Sequence, residues 1–123
     1  MTDFLYYNAN PSKKIEKDCV TRAIAVATKI PYKAVGELLK STAEKNGCDE
    51  LCVCCYHTLL EDTLGYEVKF PQNSKTVSEI AKQYRENVLI VRIKGHLTSC
   101  FYGTCVDIWD CTEEAVDCFW IVQ

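Results

Sequence analysis

The chain has 123 residues, 48% apolar and 25% charged, the composition of one globular domain over residues 1–123, too short for its core to split. Its net charge of -3 and pI near 5.4 exclude the basic footprint of a nucleic-acid binder, and no apolar run approaches the ~20 residues needed to span a bilayer. Met1-Thr2-Asp3-Phe4 lacks the basic-then-apolar order of a signal peptide, so a cytoplasmic protein without a membrane partner is expected.

Residues 1–17 read as turn-rich, with Asn8, Asn10, Pro11 and Ser12 marking a loop and Lys13-Lys14-Ile15-Glu16-Lys17 its solvated part. Asp18 suits a helix N-cap, its side-chain oxygen accepting from free N–H groups of the first turn. Val20, Ala23, Ile24 and Ala27 then fall at i, i+3, i+4 and i+7, one apolar helical face. Pro31 suits the first turn of a second helix, Val35, Leu38 and Leu39 give its buried face, and Gly47 stops it. A third helix is predicted over residues 49–64, closed by Gly65. Tyr66-Glu67-Val68-Lys69-Phe70 alternates as a short strand does, and Pro71 ends it. Thr76 is placed to cap a helix reaching about Tyr84. From Val88 onward the pattern is β: residues 88–93, residues 96–102, a turn at Gly103-Thr104, then residues 105–109 and 115–122. A helical part at about 18–64 followed by a sheet part at about 66–123 gives an α+β fold, N-terminal helices packed on a C-terminal antiparallel sheet.

Two motifs carry chemistry. In Asp18-Cys19-Val20-Thr21-Arg22-Ala23-Ile24 a cysteine stands at the start of a helix, where unpaired N–H groups and the positive end of the macrodipole favour thiolate. Arg22, one turn on, adds to that field and Asp18 opposes it. The bland alternative is a small buried residue beside Val20 and Ala23. In Gly95-His96-Leu97-Thr98 one of only two histidines enters a β-hairpin. A return strand after a short turn brings Asp110 or Cys111 opposite His96, with Asp107 in reach only diagonally. A carboxylate there would fix the imidazole tautomer and stabilise imidazolium. Asp110 is the first choice as orienter and Asp107 the reserve. Thiol, imidazole and carboxylate are the parts of a nucleophile, its base and the base's orienter.

Together with Tyr7-Asn8-Ala9-Asn10-Pro11, the first motif resembles the N-terminus of small proteins of bacteriophages and prophages, which read roughly N-P-(basic)-D-C-V-I-R-A-[IL]. Gly95-His96-Leu97-Thr98 and Val106-Asp107-Ile108-Trp109-Asp110-Cys111 are similar to that family's later blocks, near N-H-L-T and Y-D-T-W-D. The resemblance covers both ends of the chain and leaves about residues 40–80 unmatched. It implies a papain-like fold, with Cys19 as nucleophile, His96 as base and Asp110 as orienter, and no cofactor. It also implies a viral origin, hence the host cytoplasm. Papain-like enzymes usually carry a Gln several residues before the nucleophile to help hold the oxyanion. Here that region holds Lys13 and Lys14, so Asn10 (or Asn8) is the expected donor, with the backbone N–H of Cys19. Loss of one such donor costs on the order of 10²–10³ in rate, which counts against vigorous proteolysis.

Nine cysteines are many for this length, yet the count is odd, unlike a secreted disulfide scaffold. Cys48, Cys52, Cys54, Cys55 and His57 crowd into ten residues, with zinc's ligand types. On a helix Cys48, Cys52, Cys55 and Leu59 would instead form one buried stripe, so core packing is the favoured reading and no metal is assigned. Cys100, Cys105, Cys111 and Cys118 read as small packing residues, and Trp109, Phe119 and Trp120 as core or pocket-wall aromatics. Three functions stay open. The first is a thiol-dependent acyl-transfer enzyme acting on a protein or peptide-like substrate. The second is a catalytically idle phage protein that binds and inhibits a host defence protein. The third is a cysteine-cluster metal protein.

Overall fold

The run Val88-Leu89-Ile90-Val91 has no polar face, and a strand of that kind needs cover on both sides. The computed structural model describes residues 4–123, so residues 1–3, read above against a signal peptide, lie outside it. In it β3 (Val88–Ile93) is central. Val88 and Ile90 pack into one core with α1 (Cys19–Thr28), α2 (Tyr32–Asn46) and α3 (Val53–Thr58). Leu89, Val91 and Ile93 pack on the opposite face with Val77, Ile80 and Ala81 of α4 (Val77–Gln83).

The remaining strands are β1 (Phe4–Tyr6), β2 (Val68–Lys69), β4 (His96–Phe101), β5 (Thr104–Asp107) and β6 (Val116–Ile121). The six form one sheet in the order β1-β5-β4-β3-β6-β2, antiparallel except where β1 lies parallel to β5. The fold is thus α+β with a mostly antiparallel sheet. Helices cover both of its faces, because α4 returns to the side opposite α1. Among the described residues, no helix is long and apolar enough to cross a membrane.

Several elements follow from local chemistry. The face of α1 predicted from spacing is buried, Ile24 fully. Gly47 takes φ +64 and closes α2, a conformation that costs a residue without Cβ least. Thr76 and Glu79 form a reciprocal capping box on α4. Three expectations need correction. The turn-rich start contains β1, which adds to the outer edge of β5 and hands on to Tyr7, whose N–H donates to the Asp107 carbonyl at 2.9 Å. The predicted helix over 49–64 begins only at Val53. Asp49 folds a tight turn instead, its Oδ1 accepting from Leu51 N–H at 2.9 Å and its carbonyl from Cys52 N–H at 3.1 Å. That helix then widens into a π-helical turn, Leu59–Thr63.

Candidate active site

α1 starts at Cys19 because Asp18 leaves the helical conformation, while its carbonyl accepts the Arg22 N–H at 2.9 Å. The Asp18 side chain, expected to cap the helix, caps nothing. Its Oδ1 accepts from Arg22 Nε at 2.7 Å, and its Oδ2 from Tyr32 Oη at 2.7 Å and Asn10 Nδ2 at 3.0 Å. A charged guanidinium one turn away is a stronger partner than a neutral N–H. Arg22, only 5% exposed, reaches onward: its Nη1 donates to Asp107 Oδ1 at 2.8 Å.

Asp107 is also the carboxylate on the histidine. His96 Nε2 and Asp107 Oδ2 lie 2.7 Å apart, and Thr98 Oγ1 donates to the same oxygen at 2.6 Å. Ile108 N–H donates to Oδ1 at 2.7 Å. Asp110 is elsewhere, its Oδ1 accepting from the N–H and hydroxyl of Thr112. The expectation that placed Asp110 beside His96 fails on the hairpin's turn. That turn is Tyr102-Gly103, both at positive φ (50° and 94°), with Phe101 opposite Thr104, the mirror-image two-residue turn of tight hairpins. It sits one residue earlier than predicted and holds no third residue. The register therefore carries Asp107 opposite Thr98, diagonal to His96, on the same side of the hairpin. An Asp110 partner needed a longer loop.

Cys19 and His96 line the same cleft. Burial alone would raise the Cys19 pKa, but hydrogen bonds from His96 and the Leu97 backbone N–H, with the charges of His96 and Arg22, hold it below the ordinary thiol value. Burial would likewise depress His96. Asp107, Cys111 and Cys19 override that and lift it to about 11. Asp107, despite its own burial, is held below the usual carboxylate range by His96 and Thr98. All three groups are driven toward thiolate, imidazolium and carboxylate. Nε2 is held by Asp107, and two thiols, Cys111 and Cys19, face the same ring.

The pair opens on a cleft of about 390 Å³, whose walls include Val53, Tyr56, Arg92 and Lys94. Trp109, half exposed, sets its ring edge-on to the His96 ring at 5.0 Å between centroids, shielding the imidazole from one side. The second histidine is committed elsewhere: His57 Nδ1 meets Glu61 at 2.7 Å and Nε2 accepts from Arg92 at 2.9 Å. Among the described residues no buried side-chain nitrogen or oxygen lacks a partner, so the network around Asp107 is fully satisfied.

The oxyanion expectation at Asn10 does not hold. Asn10 is 4% exposed, and its amide donates both to Glu16 at 2.7 Å and to Asp18 at 3.0 Å. It braces the clamp carboxylate. Asn8 is spent in the same way, on the Lys14 carbonyl. Three contributors escaped the sequence reading: Arg22 as a bridge between two carboxylates, Thr98 on Asp107, and the Leu97 N–H; Cys111, one of the two residues expected opposite His96, does lie against it. The Asp-x-x-x-Arg spacing at a helix start was the available signal for the first.

Two groups of metal-ligand types occur among the described residues. His96, Asp107 and Cys111 form one, but Arg22 already supplies the cation there and His96 is bonded directly to Asp107, leaving no gap between donors. Cys48, Cys52 and Cys54 form the other, their sulfurs all within 4.8 Å of one another. Cys52 and Cys54 sulfurs approach to 3.0 Å, and the Cys54 thiol is pushed up to about 12 by Cys52 and Cys48. Of the expected stripe Cys55 and Leu59 are fully buried, while Cys48 and Cys52 stay partly exposed, because no helix runs through residues 49–52. Cys100, Cys105, Cys111 and Cys118 are buried as expected. Compared with protein-family models, curated proteins and solved structures, the chain matches none.

Proposed function

We propose that the chain is a papain-like thiol hydrolase or acyl transferase, with Cys19 as nucleophile, His96 as base and acid, and Asp107 in the orienting role. One observation carries this: a depressed thiol and a raised imidazole share an open cleft, and the far nitrogen of that imidazole is held at 2.7 Å by a buried carboxylate. The resemblance to phage and prophage proteins points the same way, once its carboxylate is moved from Asp110 to Asp107.

In this reading the Cys19 thiolate attacks a substrate carbonyl carbon, and the C=O electron pair moves to oxygen. The backbone N–H of Cys19 is the donor proposed for that oxyanion. The tetrahedral adduct collapses as the His96 Nδ1 proton passes to the leaving nitrogen or oxygen, leaving a thioester on Cys19. Water, or another acceptor, then gives a proton to His96 and attacks the thioester, and the thiolate departs. Asp107 keeps its negative charge throughout and stabilises the imidazolium. A protein or peptide-like substrate in the host cytoplasm fits the resemblance.

A second reading, a binding protein that blocks a host factor through the same fold, is favoured by the missing side-chain oxyanion donor, since Asn8 and Asn10 are both engaged. Alkylation with iodoacetamide separates the two. An enzyme labels at Cys19 first, below neutral pH, and loses that selectivity in His96→Ala. Labelling at Cys19 no faster than at the other eight cysteines defeats the enzymatic reading.

A further inference from the structure

We propose that Cys48, Cys52 and Cys54 form a thiolate site for a thiophilic d10 cation, Zn²⁺ or Cu⁺. The backbone brings the three sulfurs within 4.8 Å of one another. Gly47, at φ +64, turns the chain out of α2 and delivers Cys48, whose N–H still donates to the Ala43 carbonyl at 3.1 Å. The Asp49 turn then reverses direction over three residues. That returns Cys52 to Cys48, and the first turn of α3 sets Cys54 beside both. Tetrahedral zinc with Zn–S bonds near 2.3 Å places its sulfurs ~3.8 Å apart. The observed spread, from 3.0 Å to within 4.8 Å, closes on that figure with shifts of about an ångström.

Three convergent thiols exceed what a disulfide uses. They are also partly open to solvent, Cys54 most of all, so a cation has an entry path and water can fill a fourth position. Cys55 is not a donor, since its buried thiol faces the Leu39 carbonyl at 3.4 Å. Binding breaks three S–H bonds, forms three sulfur–metal bonds and releases three protons to solvent, with no change of oxidation state. Soft thiolates select these ions over magnesium or calcium. The site does not depend on the chemistry proposed for Cys19.

The test uses the full chain, reduced and metal-free under anaerobic conditions. Zn²⁺ is titrated in competition with a chromophoric chelator, and Cu⁺ in a separate arm against a Cu⁺-selective one. Co²⁺ serves as a spectroscopic substitute for zinc. The expected result is one cation per chain in at least one arm, with a sulfur-to-cobalt charge-transfer band if the zinc arm succeeds. Cys54→Ser, a change at an exposed side chain, should weaken binding by at least the 10–100-fold that loss of a mere supporting group costs, while Cys19→Ser leaves the affinity unchanged. Neither cation held more tightly than about 1 μM, or an affinity that survives Cys54→Ser, overturns the proposal.

Discussion

Arg22 and Asp107, 85 positions apart in the chain, meet at 2.8 Å inside the protein, and through that contact α1 fixes the carboxylate that holds His96. Because Arg22 Nε also engages Asp18 at 2.7 Å, one guanidinium bridges two buried carboxylates. Deleting it takes from Asp18 its salt-bridge partner and leaves Asp107 with His96 alone as its charged partner. Arg22→Ala is expected to cost about 3–5 kcal/mol in urea unfolding, the price of an uncompensated buried charge. Arg22→Lys should recover only part of that, since an ammonium cannot fork across two carboxylates. Wild-type stability in Arg22→Lys would remove the clamp from the account.

The two candidate orienters are separable by substitution. Asp107→Asn keeps the shape but ends the charge that holds imidazolium, so the apparent pKa of Cys19 should rise. Once that value lies above pH 6, each further unit lowers the thiolate fraction, and hence the alkylation rate, about tenfold there. Asp110→Asn, whose amide oxygen can still accept from Thr112, should leave the rate alone. Equal effects from the two variants would contradict the assignment.

Stability should peak on the acid side of neutrality. His96 is raised on folding, so its contribution is complete below its unfolded value of 6.5 and fades as pH climbs toward about 11. Asp107 and Asp18 are lowered, so theirs is complete above the unfolded 3.8 and is lost as pH falls through the folded values. Thermal unfolding followed from pH 3 to 10 should therefore show a maximum between 3.8 and 6.5. Asp107→Asn should flatten both limbs; an unchanged profile in that variant would show that the pair does not set the pH dependence.

The β4–β5 turn offers a test that can raise stability. Tyr102 occupies φ +50 with its side chain largely exposed, a conformation that Asn adopts more cheaply. Tyr102→Asn creates the Asn-Gly pair such turns prefer and should add about 0.5–1 kcal/mol. Gly103→Ala should subtract about 1–2 kcal/mol. The new Cβ would meet Arg85 Cβ at only 3.7 Å, an ordinary contact, so the strain lies in the backbone at φ +94. Denaturant midpoints that move the other way would refute the turn assignment.

What the sequence revealed divides by range. β3 was legible because a strand buried on both faces cannot hide its apolar run, and α1, Gly47 and Thr76 because their signals lie within a few residues. Cys19 and His96 stood out through their residue types and local settings. Asp107 was missed as first choice because a shift of one residue in turn placement decides which carboxylate lies diagonal to His96, and Tyr102 at positive φ carries no sequence signal for that turn. Asn10 and Asp18 were misassigned for a related reason. Each suits a local cap or donor role, and each was captured by a charged partner that only the folded chain supplies. β1 was hidden in a turn-rich stretch, since a three-residue edge strand borrows its pairing from β5.

β6 comes last in chain order yet sits between β3 and β2, carrying the fully buried Trp120 into the same core as α1. A ribosome that has delivered α1 and the β3–β4–β5 meander has therefore released every member of the Cys19, His96 and Asp107 set, but not the wedge that seals the layers beneath it. Nascent chains stopped before Val116 should be loose and protease-sensitive. The setting that holds the Cys19 thiol below its ordinary pKa is then expected only in the finished sheet, once that inner slot is filled.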